Sequence, residues 1–244
     1  MYIMKPSASS CGRGIKVIGK RTHINKRSGY IVSKYIGKPH LIRGFKYDLR
    51  VYVVVTSFEP LKVYLFKEGL VRLATVPYTT NKSSLKQRFV HLTNYSVNKK
   101  AETYQKNNAT STETPVETEE NQSKMSFAQL RQEYEKEGAD YDQIFEGIKD
   151  VIIKTILSVE NPIVTSMGGT KYKQTCFEVY GFDVLIDSKF KPWLLEVNVS
   201  PSLSSSSPMD KYIKTLLLSD TMYLTGFHIF DRKQLEKDKQ KTDK

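Results

Sequence analysis

Apolar residues in this chain fall first into short β-type runs, then into a helical pair, and return to β-type runs before a last helix. A run at residues 1–5 breaks at Lys5-Pro6, and Ile15 to Ile18 is the next. The small, flexible stretch Ser7 to Gly14 lies between them, so the two predict a hairpin and not a strand-to-helix turn. Residues 30–36 (YIVSKYI) read as another strand. Asp48 to Phe58 is a long β-branched run, and Leu61 to Phe66 follows after Glu59-Pro60, which predicts an antiparallel pair. Gly69 is expected to turn the chain before a further run, Leu70 to Ala74.

Residues 101–124 are rich in Thr, Asn, Glu and Gln and predict a variable surface loop. Residues 125–137 and 140–160 carry helical spacing, and in the second Ile144, Ile148, Val151, Ile152 and Thr155 share one face. Residues 176–187 and 193–199 predict two strands with a short turn, and 208–227 a last helix. The charged segment 231–244 reads as a frayed tail. No internal repeat is visible, and the segregated order of strands and helices predicts the α+β class. Residues 1–230 are therefore expected to form one domain.

Composition narrows the functional classes. The 244 residues are 39% apolar and 26% charged, enough for a core. Two cysteines, Cys11 and Cys176, exclude a disulfide framework and a Cys-rich zinc module, and fit a reducing compartment. No run of 18 apolar residues predicts a membrane span, and Lys5 and Pro6 interrupt the start before a signal-type core develops. Charge is unevenly placed. The first 100 residues hold 20 Lys/Arg against 3 Asp/Glu, and the remaining 144 hold 18 against 23. A basic half of this kind attracts a polyanion or a phosphate-bearing ligand. Nucleic acid, an acidic protein tail and a nucleoside triphosphate all fit that description. Tyr and Phe lie inside strand patterns and not as exposed platforms, which disfavours nucleic acid.

The sharpest chemical pattern is Gly181-Phe182-Asp183 with Trp193-Leu194-Leu195-Glu196-Val197-Asn198. Residues two apart on a strand share a face, so Glu196 and Asn198 point the same way. If the two strands pair, Asp183 faces them, and three oxygen donors converge. Hard oxygen ligands without His or Cys suit Mg²⁺ with phosphates completing the octahedron. An ordinary polar strand face is the competing explanation. Lys5 with the loop 7–14, aided by Arg13 and Lys16, can close over phosphates, although GxxxxGK[ST] is absent. Lys46, Asp48 and Arg50 alternate with apolar residues and face one side. Arg72 lies within an apolar run and calls for a carboxylate or phosphate partner. His91 to Lys99 (HLTNYSVNK) is a dense polar row without helical or strand period. GxSxG, HExxH and a helix-opening GxGxxG are all missing.

The stretches MKPSASSCGRGIKVI, KYDLRVYVVVTSFEPLKVYLFKEGLVRLATVPY, FVHLTNYSVNKK and CFEVYGFDVLIDSKFKPWLLEVNVSPSL, in this order, resemble the tubulin tyrosine ligase-like family, and most closely its polyglutamylating branch. The resemblance implies an ATP-grasp fold, with largely antiparallel sheets, flanking helices and ATP between two β-rich layers. It implies that a further N-terminal region precedes the Lys5 motif in relatives, so the chain reads as a partial catalytic unit. It assigns nucleotide contacts to Lys5, Cys11, Gly12, Arg13, Ser33, Lys34, Tyr35, Ile36, Lys46, Asp48, Thr93 and Asn94. Lys46, Asp48 and Arg50 would flank the transferred phosphate, and Asp183, Glu196 and Asn198 would hold Mg²⁺. Arg72, Tyr95, Ser96 and Lys124 would meet the free amino acid. Most relatives carry Arg where Cys11 stands, and usually Trp where Met125 stands.

The implied reaction is ATP-dependent joining of free L-glutamate to a glutamate side chain of an acidic tail through an acyl phosphate. The tail would belong to tubulin, in microtubules, or to another acidic protein. The expected place is the cytoplasm and cytoskeleton, a cilium or basal body included, with no nucleic acid or membrane as partner. Val199, directly after Asn198, matches branch-initiating members, where chain-elongating ones carry His. The alternative is a non-catalytic microtubule-binding fragment or pseudoenzyme.

Overall fold

The computed structural model describes residues 1–9, 12–24, 29–99, 101, 123–170, 176–227 and 231–232. Cys11 and nearly all of the predicted loop and tail lie outside the described residues. Two antiparallel sheets make the architecture. The small sheet has the order β2-β1-β3, from β1 (Tyr2–Pro6), β2 (Lys16–Ile18) and β3 (Tyr30–Lys34). The expected hairpin is there, with Ile3 opposite Val17, and β3 adds on the other side with Ile3 opposite Ser33.

The large sheet runs β7-β6-β5-β8-β9, with β4 (Leu41–Ile42) also on β5. Its strands are β5 (Phe45–Phe58), β6 (Leu61–Leu73), β7 (Lys124–Ser126), β8 (Glu178–Ile186) and β9 (Pro192–Val199). β5 and β6 form the predicted pair, but Gly69 does not turn the chain. β6 continues through it, and a register shift between Val51 and Val53 absorbs the extra residues just before Gly69 as a bulge. Glycine is needed there for space: a Cβ would stand 2.4 Å from the Phe127 ring and 2.6 Å from the Arg50 carbonyl oxygen.

Strand alternation sorts the sheet into two faces. Tyr47, Leu49, Val51, Val53 and Val55 of β5 join Val71 and Leu73 of β6 and Phe182, Val184 and Ile186 of β8 in the main core. Helices α3 (Phe127–Lys136) and α4 (Tyr141–Ser166) cover this face with Leu130, Tyr134, Ile144, Ile148, Ile152 and Ile156. Val151 and Thr155, expected on that stripe, are only half-buried at its border. α4 continues past the predicted end at residue 160 and through Pro162, because Ile163, Val164 and Met167 still find apolar partners. Caps fix both helix starts. Ser126 and Gln129 form a reciprocal capping box for α3, and Asp140 accepts the Gln143 N–H for α4.

The opposite face carries Lys46, Asp48 and Arg50, then Tyr52 and Val54. The last two pack with Leu70 against Met209, Ile213 and Leu217 of α5 (Pro208–Leu224), which stops short of residue 227. The polar row after His91, read as aperiodic, contains a short helix. α1 (Arg88–His91) and α2 (Tyr95–Asn98) flank Leu92–Asn94. Four residues per helix are too few to show a period. Among the described residues no helix is long and apolar enough to cross a membrane.

Gly69→Ala is expected to lower the unfolding free energy by about 1–3 kcal/mol through overpacking. Gly169→Ala, where a Cβ meets nothing within 4 Å, should stay within about 0.5 kcal/mol. Urea titration followed by circular dichroism checks both, and equal effects would contradict the bulge account.

Candidate functional site

Between the two sheets lies a cleft of about 770 Å³, within the size range of sites that take a small ligand. Ile3 and Lys5 of β1 and Ser33 to Lys38 of β3 and its continuation form one wall. Lys46 and Asp48 of β5, Asp183 and Leu185 of β8, and Trp193 to Glu196 of β9 form the other, and His91 to Asn94 close one end. The structure thus brings Lys5, Ser33, Lys34, Tyr35, Ile36, Lys46, Asp48, Thr93, Asn94, Asp183 and Glu196 onto one cavity, though they come from six separate parts of the sequence.

Arg50, Arg72, Lys124 and Asn198 stand behind or beside that wall, and Arg13 is exposed on the β1–β2 loop. Cys11 and the side chains of Tyr95 and Ser96 lie outside the described residues. Gly12 reaches back to the cleft end: its carbonyl accepts from Arg88 Nη2 at 2.6 Å. With φ of +70°, it also leaves no room for a side chain, since a Cβ would sit 2.8 Å from Asn94 Oδ1.

The charged residues of the inner face form a register-built network. β5 pairs with β6 so that Asp48 faces Arg72, and with β8 so that Arg50 faces Asp183. Arg72 Nε and Nη2 donate to Asp48 at 2.8 and 2.6 Å, a two-pronged contact, and Nη2 also lies 2.8 Å from Asp183 Oδ2. Arg50 Nε donates to Asp183 Oδ1 at 2.6 Å. Arg72 thus has the carboxylate partners its apolar surroundings demanded, and the mixed-charge row on β5 is buried at Lys46 and Asp48 and half-buried at Arg50 rather than an open strand face. Burial pushes the Asp183 carboxyl up, but Arg72 and then Arg50 outweigh it and hold it below the ordinary range.

Glu196 is the cross-strand neighbour of Asp183. It is open to solvent at the cleft, because β9 is an edge strand with much of its surface exposed. It is so although Leu194, Leu195 and Val197 beside it are apolar. Crowding by protein, then the Asp183 charge, raise its pKa. Two adjacent carboxylates, one pushed toward its protonated form, are a place where a cation relieves repulsion. Asn198 comes next on that face, opposite Gly181. Its Nδ2 donates to the Gly181 carbonyl at 3.0 Å, which leaves Oδ1 to accept or ligate. Among the described residues no group of three His, Cys, Asp or Glu could hold a metal alone. Two carboxylates with an amide oxygen fit Mg²⁺, which takes few protein ligands and completes its shell with phosphate and water.

Lys46 is buried and aimed by a relay that sequence reading missed. Its Nζ donates to the His91 carbonyl at 2.9 Å and to the Tyr35 hydroxyl at 3.1 Å. Tyr35 OH lies 3.0 Å from His91 Nδ1, and His91 Nε2 lies 3.1 Å from the Ser84 carbonyl. A carbonyl only accepts, so Nε2 carries the proton and Nδ1 accepts from Tyr35. Burial and the Lys46 charge lower the His91 pKa, which keeps this neutral form. Burial likewise pushes Lys46 down to about 8, against the attraction of Asp48 and with the repulsion of Lys5.

The sequence profile of the tubulin-tyrosine ligase family matches residues 1–235, and the chain belongs to that family. Its antiparallel sheets around a cleft are the family's ATP-grasp-like α+β architecture. The chain is 45% identical over 227 residues to human tubulin polyglutamylase TTLL5, covering 93% of this chain and 17% of that protein. Mouse tubulin monoglutamylase TTLL4 is 45% identical over 228 residues, 93% of this chain and 18% of the relative. Mouse tubulin polyglutamylase TTLL6 is 40% identical over 247 residues, 98% of this chain and 29% of the relative. The chain therefore spans less than a third of each of these three.

A Lys46 pKa near 8 has a direct consequence. A polyphosphate in the cleft favours the charged amine and raises that pKa, so nucleotide binding at pH 8 should take up roughly half a proton. Calorimetry in two buffers of different ionisation enthalpy measures this. The uptake should vanish in Lys46→Met, and a buffer-independent binding enthalpy in the unaltered protein would contradict it.

Proposed function

We propose that this member of the tubulin-tyrosine ligase family is part of an ATP-dependent ligase that joins free L-glutamate to a glutamate side chain of an acidic tubulin tail. The observation that carries the reading is the Asp183–Glu196 carboxylate pair on one wall of a cleft of small-ligand size, with Lys5 and Lys46 on the same cavity. The names of the similar proteins, polyglutamylases and monoglutamylases of tubulin, support glutamate and tubulin as substrates.

In this reading Lys5, Lys46 and Thr93–Asn94 hold the triphosphate, and the β3 continuation from Ser33 to Ile36 borders the base. Asp183, Glu196 and Asn198 hold Mg²⁺, which supplies charge neutralisation at the phosphates when bound. The γ-phosphoryl group passes to an oxygen of the acceptor carboxylate, and ADP leaves. The amine nitrogen of free glutamate then attacks the acyl carbon. A C–N bond forms, phosphate leaves with the C–O electron pair, and the amine gives up a proton. Arg50 and Arg72 keep Asp183 ionised and in place, and Lys46 lies where negative charge must be brought together. Arg72, Tyr95, Ser96 and Lys124 are assigned to the free amino acid, and Arg72 can contribute only the N–H groups that Asp48 and Asp183 leave over.

The basic half of the chain steers the acidic tail, so association should slow as salt rises. Val199, directly after Asn198 where chain-elongating members of the family carry His, supports branch initiation in this reading. The cytoskeleton is the corresponding location.

Glu196→Gln keeps the side-chain shape and removes one ligand charge. It should lower glutamate incorporation by about 100-fold or more while the melting temperature stays near that of the unaltered protein. Mass spectrometry of tubulin tails after incubation with Mg·ATP and mixed free amino acids reads the activity and the amino acid together. Incorporation that survives Glu196→Gln, or a different amino acid on the tails, would refute this function. Microtubule binding without any incorporation would favour a docking module instead.

A further inference from the structure

A second buried charge cluster lies beside the cleft, on the inner face of the large sheet. Lys124 of β7 is the register partner of Arg72. Its Nζ donates to Ser206 Oγ at 2.7 Å and to Asp210 Oδ2 at 2.9 Å. Asp210 Oδ2 also accepts from the Ser206 N–H at 3.0 Å and from Ser206 Oγ at 3.2 Å. Its Oδ1 pairs with Lys214 Nζ at 2.8 Å, and Lys214 donates further to the Ser204 carbonyl. Asp210 is 1% exposed. Against the upward push of burial, Lys214 and Lys124 hold its carboxyl below the ordinary range.

Asp210 ties two things together. A lysine side chain has four rotatable carbons and orders its ammonium only where an acceptor fixes it. β7 is three residues long and carries Lys124 at its first position. The Asp210 and Ser206 oxygens are what direct that ammonium. The same carboxylate grips the Ser206 backbone, in the segment 200–207 that leads from Asn198 into α5. No atom of Asp210 lines the cleft.

We propose that Asp210 is a positioning residue of the amino-acid subsite. It aims the Lys124 ammonium alongside Arg72 at a substrate carboxylate and anchors the segment behind Asn198, without touching substrate itself. This rests on the reading that Lys124 meets the free amino acid.

The test separates the two claims. Glutamate binding is measured by calorimetry with Mg²⁺ and a non-hydrolysable ATP analogue present, and acylation of Lys124 by an amine reagent is followed by peptide mass spectrometry. Asp210→Asn should weaken glutamate about tenfold while nucleotide affinity stays within about twofold. Lys214→Met, which leaves the Lys124–Asp210 contact in place, should change glutamate affinity less than about threefold. Equal losses in both variants would show a packing role at the start of α5 and overturn the proposal. If Asp210→Asn does not fold, Ser206→Ala removes a second Lys124 acceptor and should weaken glutamate about threefold with nucleotide binding unchanged; no change would overturn it. In the unaltered protein glutamate should protect Lys124 from acylation. Absent protection overturns the proposal even if tubulin tails are glutamylated, and protection without glutamylation would leave it standing while the ligase reading falls.

Discussion

Two carboxylates and two guanidiniums shared across three strands govern the rest of this site. Arg72 holds Asp48 and Asp183 together, and Arg50 holds Asp183 from the other side. All four have side chains largely shut off from water. Stripping one partner from such a set leaves a buried charge alone, at about 3–5 kcal/mol. The strands are therefore locked in the one register that sets residue 48 against 72 and 50 against 183. A slip by one residue would drive these charges into the face filled by Val51, Val53 and Val184. That register also presents Lys46 and Glu196 to the cleft and Lys124 next to Arg72.

The two walls of the cleft are built differently. The large sheet is clamped between apolar layers, with α3 and α4 on one face and α5 on the other. The small sheet meets it through polar contacts at the cleft: Lys5 Nζ lies 3.4 Å from the Leu195 carbonyl, and Tyr35 reaches His91 and Lys46. All five residues of β3 are exposed. One wall thus fixes the charges, and the other meets it through polar contacts such as these.

Much of this could be seen in the residue order. Strand alternation places Lys46, Asp48 and Arg50 on one face, and an arginine inside an apolar run demands an anion. Both inferences hold because period and burial cost are local physics. Four features were hidden for physical reasons. The bulge before Gly69 looks like a turn, since both use a glycine after polar residues; only the Phe127 ring packed on it decides. The His91 relay and the Asp210 clamp join residues 56 and 86 positions apart, and such pairings depend on tertiary contacts that no spacing encodes. Glu196 lies in an apolar stretch yet faces solvent, because an edge strand buries little of its surface.

The account stands on a divalent ion bridging a nucleotide to the β8–β9 pair. Anomalous diffraction from crystals grown with Mn²⁺ and a non-hydrolysable ATP analogue tests this directly. The account predicts a single peak within about 2.3 Å of Asp183 and Glu196 oxygens and in contact with the phosphates. A nucleotide bound in the cleft with those two side chains turned away from the metal, or with the peak elsewhere, would contradict it.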